Sequence, residues 1–221
     1  MEKRPQIIIC RHAESLEDMD NTVYDVLSDL EIPLTEKGKE QARNFGALLA
    51  QLLNGNGDVR FYTSPGVRNM QTLKIVLPQL PDHVNVSVEV EPLIVKQDWG
   101  YITAENRPGI EAERYKTGVL RYTFPTGESA THLIERLTEF KEKIFRVQRE
   151  SGCNIVIFSH GFEFRVLLMI IMGWNEETFE SFANLDNCEY RVLTMEEDGT
   201  YGLNKPLRQH GLPITRLSGE S

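Results

Sequence analysis

Gln6-Ile7-Ile8-Ile9-Cys10, running directly into Arg11-His12-Ala13-Glu14-Ser15, decides the fold. The first five residues follow Pro5 and are apolar at nearly every position rather than at every second one. That is the pattern of a strand buried on both faces, and the run is too short for a helix. In an open, mostly parallel sheet, ligands gather beyond the carboxyl ends of the strands, where Arg11 and His12 fall. The same grammar recurs twice. Residues 59–63 read as a second strand, ended by Ser64-Pro65-Gly66-Val67-Arg68. Residues 154–158 read as a further buried strand, ended by Ser159-His160-Gly161.

Helical patterns separate these strands. Thr35 reads as an N-cap, and after it Ala42, Phe45, Leu48, Leu49, Leu52 and Leu53 share one stripe, stopped by Gly55 and Gly57. Ser64-Pro65 reads as the cap and first residue of the next helix, with Arg68 in its first turn. Residues 85–90 alternate as a strand. Ser129 opens an amphipathic helix with Leu133, Leu137, Phe140 and Ile144 on its apolar side. Residues 162–172 are apolar nearly all round, which predicts a buried helix. Residues 189–195 and 200–203 pair as a hairpin around Asp198-Gly199. Residues 96–127 show little periodicity and include four glycines, as expected of a long functional loop with some helix. Strand and helix in alternation predict an α/β fold: a three-layer sandwich with a mostly parallel central sheet and helices on both faces. One domain is expected over 1–221, with the tail after about residue 205 loosely structured.

Composition narrows the function classes. Of 221 residues, 40% are hydrophobic and 26% charged, the balance of a soluble globular chain. No apolar run reaches membrane-spanning length, and the start Met-Glu-Lys-Arg-Pro has no small-residue cleavage site of a signal peptide. With 33 acidic against 24 basic residues, the formal charge of −9 argues against nucleic acid and anionic membranes as partners. The three cysteines form no C-x-x-C pair, and Cys10 and Cys153 border strand-like runs, so reduced core thiols in the cytoplasm are expected.

Two arginines and two histidines at one sheet edge, Arg11, His12, Arg68 and His160, make an oxyanion site, because the guanidinium fork matches phosphate oxygens. His83, His132 and His210 keep a structural or surface reading. Zinc is disfavoured by the lack of H-E-x-x-H or a Cys/His spacing. No G-x-G-x-x-G follows the first strand, and Ser159-His160-Gly161 is not a G-x-S-x-G elbow.

Arg11-His12-Ala13-Glu14-Ser15, Leu34-Thr35-x-x-Gly38-x-x-Gln41-Ala42, Ser64-Pro65-x-x-Arg68-x-x-Gln71-Thr72 and Ser159-His160-Gly161 together resemble the histidine phosphatase superfamily. The similarity is closest to the phosphoglycerate-mutase-like phosphatases of plants and fungi. It takes in Gln97-Asp98-Trp99-Gly100, Phe124-Pro125-x-Gly127-Glu128-Ser129-Ala130 and Asn187-x-Glu189-x-Arg191-Val192, in order, over residues about 6 to 203. The resemblance implies a phosphoglycerate mutase-like fold and a phosphomonoester hydrolase acting through a phosphohistidine at His12. Arg11, Arg68 and His160 would hold the phosphoryl oxygens, and Ala13, Glu14, Asp18 and Gly161 would line the phosphate pocket or the substrate. It implies a small phosphorylated substrate as partner, and no metal or organic cofactor.

Three positions depart from the family pattern. Ala13 replaces the usual glycine after the nucleophile, which strains the backbone if that residue must be left-handed. Asp18 replaces a common asparagine and would repel a phosphate dianion. Lys96 stands where the family carries its glutamate proton donor. Three consequences stay open: Asp98 supplies the proton, Lys96 does so with a pKa lowered by Arg11 and Arg68, or the acid is lost. The rival to a phosphatase is therefore a pseudophosphatase that binds a phosphorylated ligand or partner, with a phosphoglycerate mutase less favoured. Glu128, Tyr122, Trp99 and the 101–127 loop are candidates for shaping specificity.

Overall fold

The computed structural model describes residues 4–53 and 57–210. Its centre is one six-stranded sheet built from β1 (Gln6–Arg11), β2 (Asp58–Thr63), β3 (Asn85–Val90), β4 (Asn154–Ser159), β5 (Tyr190–Met195) and β6 (Tyr201–Leu203). The spatial order is β3-β2-β4-β1-β5-β6. β1, β2, β3 and β4 run parallel, with Ile8 beside Val156 and Phe61 beside Val156, whereas β5 pairs antiparallel with β1 and β6 pairs antiparallel with β5.

The unbroken apolar runs in β1 and β4 follow from their place at the centre, where both faces are covered. Ile7, Ile9, Ile155 and Ile157 face Leu133, Leu137, Phe140 and Ile144 of α5 (Ala130–Ser151) and Phe164 and Leu168 of α6 (Gly161–Met172). Ile8, Cys10, Val156 and Phe158 face the opposite way. They pack on Phe45, Leu49 and Leu53 of one helix (Glu36–Leu53) and on Leu73 and Val76 of another (Val67–Val76). With the single turn Leu16–Met19 counted as α1, these two are α2 and α3. The result is the expected three-layer sandwich.

This layering creates the site. The chain leaves β1 toward α2 on one face and leaves β4 toward α6 on the other, so the adjacent ends of β1 and β4 border a crevice. The backbone of His12 crosses it by donating to Ser159 O (3.0 Å).

Several expectations shift. The helix after β2 starts at Val67, not at Pro65, because Ser64 is occupied elsewhere: its N–H donates to Phe158 O and its hydroxyl meets His160. The 96–127 segment carries some helix as expected, α4 (Arg107–Thr117). Another short helix, α7 (Glu176–Ser181), is capped by Asn175, whose side chain accepts from Thr178 N (2.8 Å). Residues 206–210 are fastened rather than loose, with Leu207 buried and Gln209 bridged to Phe182. Residues 211–221, like Gly55, lie outside the described residues. No helix among the described residues is long and apolar enough to cross a membrane.

Candidate active site

The ends of β1 and β4 and the first turn of α3 bring Arg11, His12, Arg68 and His160 together. A cleft of about 240 Å³ is lined by Arg11, His12, Glu17, Lys96, His160 and Gly161, among others. His12 is buried, and its Nδ1 lies 2.8 Å from Ala13 O. A carbonyl only accepts, so Nδ1 carries the proton and Nε2 keeps its lone pair. Burial, then Arg68 and Arg11, push the His12 pKa down to about 3, so the ring is neutral at physiological pH. His160 is likewise held well below the ordinary value, by burial and by Arg68. Its Nδ1 accepts from Arg68 Nη2 (3.2 Å), and its Nε2 lies 2.9 Å from both Ser64 Oγ and Asn69 Nδ2.

The other residues of these motifs brace the loop after β1. Thr35 caps α2 through Gly38 N (2.9 Å), and a Cβ on Gly38 would sit 2.0 Å from Glu14 O. Gln41 accepts from Glu14 N, Gln71 from Leu34 N and Thr72 from Ala13 N. These contacts fix the loop after β1 against α2 and α3. Glu14, expected near the phosphate, instead holds Thr35 and Lys37 with its two oxygens (2.8 and 2.6 Å). Ala13 is a core residue packed with Leu34 and Ala42. Cys188 is the one non-glycine among the described residues with positive φ, so Ala13 carries no left-handed strain.

Asp18 is likewise not a free negative charge. It accepts from Ser15 N (2.9 Å) as a capping box for α1 and pairs with Arg11 Nη2 at 2.7 Å. Gly161 borders the cleft, and a Cβ there would lie 3.3 Å from Asn184 Cβ.

The two expected proton donors fare differently. Asp98 turns away: its Oδ1 accepts from Gly100 N (2.8 Å), an Asx turn, and the side chain lines a neighbouring groove rather than the cleft. Lys96 lines the cleft and Asp98 does not, so the two residues do not share the site. Lys96 does reach the cleft, but its expected pKa lowering is reversed. Burial disfavours the ammonium, yet Glu17 (2.8 Å) and Asp29 (2.5 Å) outweigh that and raise its pKa. A lysine so held stays charged at neutral pH.

Glu17, Tyr24 and Asp29 were not legible as site residues. Glu17 lies 3.3 Å from Arg68 Nε and 3.9 Å from His12 Nε2, its side chain only 8% exposed. Tyr24 donates its hydroxyl to Glu17, and Asp29 pairs with Arg68 Nη2 at 2.8 Å. The three cations Arg11, Arg68 and Lys96 are thus matched by the three carboxylates Asp18, Glu17 and Asp29. The available signal was Lys96 itself, since a lysine buried in a cleft calls for a carboxylate opposite.

α4 closes the outer side of the cleft with Arg107, Glu111, Arg114 and Tyr115, whose 4-, 3- and 1-residue steps put them on one helical face. Trp99 joins them under Arg114 (5.0 Å to the ring). Of the other specificity candidates, Glu128 is tied to Arg136 by two bonds and Tyr122 packs edge-on against Phe124.

Known proteins resemble this chain in sequence and in fold. A phosphoglycerate mutase-like protein of Arabidopsis thaliana is 35% identical over 213 residues, 89% of this chain and 76% of that protein. A broad-range acid phosphatase of Saccharomyces cerevisiae is 32% identical over 121 residues, 52% of this chain and 36% of that protein. The fold overlays a mycobacterial glucosyl-3-phosphoglycerate phosphatase with a TM-score of 0.72 at 13% identity, covering 91% of this chain and 98% of the other. The family model for the histidine phosphatase superfamily (branch 1) matches residues 7–204, and the chain belongs to that superfamily.

Proposed function

We propose that this protein is a phosphomonoester hydrolase in which His12 attacks phosphorus and carries a phosphohistidine intermediate. One observation carries the reading: the Nδ1 contact to Ala13 O leaves a neutral His12 with its Nε2 lone pair free, between Arg11 and Arg68. A neutral imidazole is the nucleophilic form, and the arginines stay charged beside it to offset negative charge spreading over the phosphoryl oxygens. No metal is needed for this chemistry. The substrate is a small phosphorylated molecule, and the relatives' phosphatase names support hydrolysis. The three free cysteines suit a reducing compartment.

The internally neutralised cradle favours a second reading, a module that binds a phosphorylated ligand without turning it over. One experiment separates the two. Wild type incubated with a ³²P-labelled phosphomonoester and quenched should carry an acid-labile, alkali-stable label that His12→Ala lacks. Orthovanadate binding without label or turnover would favour the binding module.

A further inference from the structure

Resting on the phosphatase reading, we propose that Glu17 is the proton donor of the reaction, charged with its proton by substrate entry. The carboxylate sits inside the cradle, between the nucleophile and the two cations that a phosphoryl group must reach: Arg68 Nε at 3.3 Å, Lys96 Nζ at 2.8 Å and His12 Nε2 at 3.9 Å. A phosphoryl group and this carboxylate compete for the same donors. Glu17 rides on α1, a single turn whose Leu16 and Met19 are exposed, so shifting the turn displaces no core side chain.

The groups facing Glu17 decide its protonation. They are Lys96 from the segment after β3, Arg68 from α3, His12 from the end of β1, and Tyr24 and Asp29 from the turns after α1. In the resting site burial works to raise the Glu17 pKa, but the charged Lys96 and Arg68 overcome it and hold the carboxyl well below its usual range. A dianionic phosphoryl group takes over Arg68 and Lys96 and adds two negative charges alongside. Both changes favour the protonated acid. The cradle's three cations are already matched by three carboxylates, so a dianion is best accommodated with an accompanying proton.

The steps balance. The His12 Nε2–P bond forms as the bond from phosphorus to the leaving oxygen breaks, and that oxygen takes the Glu17 proton. Water then attacks phosphorus, gives a proton to the Glu17 carboxylate, and the N–P bond breaks to release phosphate and neutral His12. Lys96 stays charged throughout and steadies the carboxylate.

The test compares leaving groups. A proton donor matters for an alkoxide and little for an aryl oxide that leaves unaided. Glu17→Gln should lower turnover of glycerol 3-phosphate by ~10²–10⁴-fold and of p-nitrophenyl phosphate by less than ~10-fold. Orthovanadate should bind the variant at least as tightly as wild type, because the competing carboxylate is gone. Equal losses on both substrates, no change, or a gain on both overturns the assignment while leaving the phosphatase reading intact. A wild type that turns over neither substrate overturns both. Should Glu17→Gln fail to fold, Glu17→Ala with added formate decides: rescue of glycerol 3-phosphate turnover supports the assignment, and its failure overturns it.

Discussion

Replacing Lys96 by methionine keeps its length and removes the ammonium that bridges Glu17 (2.8 Å), Asp29 (2.5 Å) and the Tyr24 hydroxyl (2.9 Å). Removing one partner of a buried ion pair costs ~3–5 kcal/mol when the remaining charge is stranded. Here both carboxylates keep Arg68, so a smaller loss of about 2–3 kcal/mol is expected. For a chain of this length ~1 kcal/mol corresponds to ~2–4 °C, so the melting temperature at pH 7 should fall by about 4–12 °C. The pH dependence identifies the cause. Glu17 and Asp29 have depressed pKa values in the fold, so their stabilisation is present above the unfolded carboxyl range and lost as pH falls through the folded values. Without Lys96 those folded values rise, and the carboxylates protonate at higher pH. The gap between wild type and Lys96→Met should therefore be largest near neutrality and shrink as pH is lowered through about 4. Calorimetry from about pH 3 to 8 measures it. A penalty that is constant across that range, or absent at pH 7, refutes the charge-network account.

Gly38→Ala drives a methyl to within 2.0 Å of Glu14 O, a backbone atom that cannot rotate away. A loss of ~3 kcal/mol or more is expected with weakened orthovanadate binding, read by melting and titration, because Glu14 is two residues from His12. Phe140→Ala opens the core between α5 and the sheet, where the ring meets Tyr62 edge-on at 5.4 Å. It should cost ~3–5 kcal/mol in chemical denaturation while leaving the leaving-group preference unchanged. In an NMR titration His12 should show no protonation step between pH 5 and 8, since its pKa lies near 3.

The fold was legible because its centre obeys simple patterning. A strand covered on both faces must be apolar throughout, and Gln6–Arg11 and Asn154–Ser159 show that at sight. The stripe of Leu133, Leu137, Phe140 and Ile144 identifies α5 in the same way. Arg11, His12, Arg68 and His160 were legible because strand ends determine where they lie. The acid was not, because charge partners across a cleft obey no sequence period: Glu17 and Lys96 are 79 positions apart. Asp98 was expected to face the site with Lys96, whereas its carboxylate closes an Asx turn onto Gly100 N. Asp18 was read as an isolated charge, although its neighbours Ser15 and Arg11 both consume it.

The reciprocal pairing of Glu17 with Lys96 also limits how this protein can be recombined with its relatives. The two residues sit on separate pieces of chain, one in the turn after β1 and the other in the segment after β3. A chimera that imported only the second piece, with a glutamate at position 96, would set three carboxylates around Arg68 with no ammonium among them. Importing only the first piece, without an acid at 17, would leave Lys96 facing Arg68 with Asp29 alone to separate them. Working hybrids must exchange the two pieces as one block, and a library shuffled between them should recover the parental pairings and discard the mixed ones.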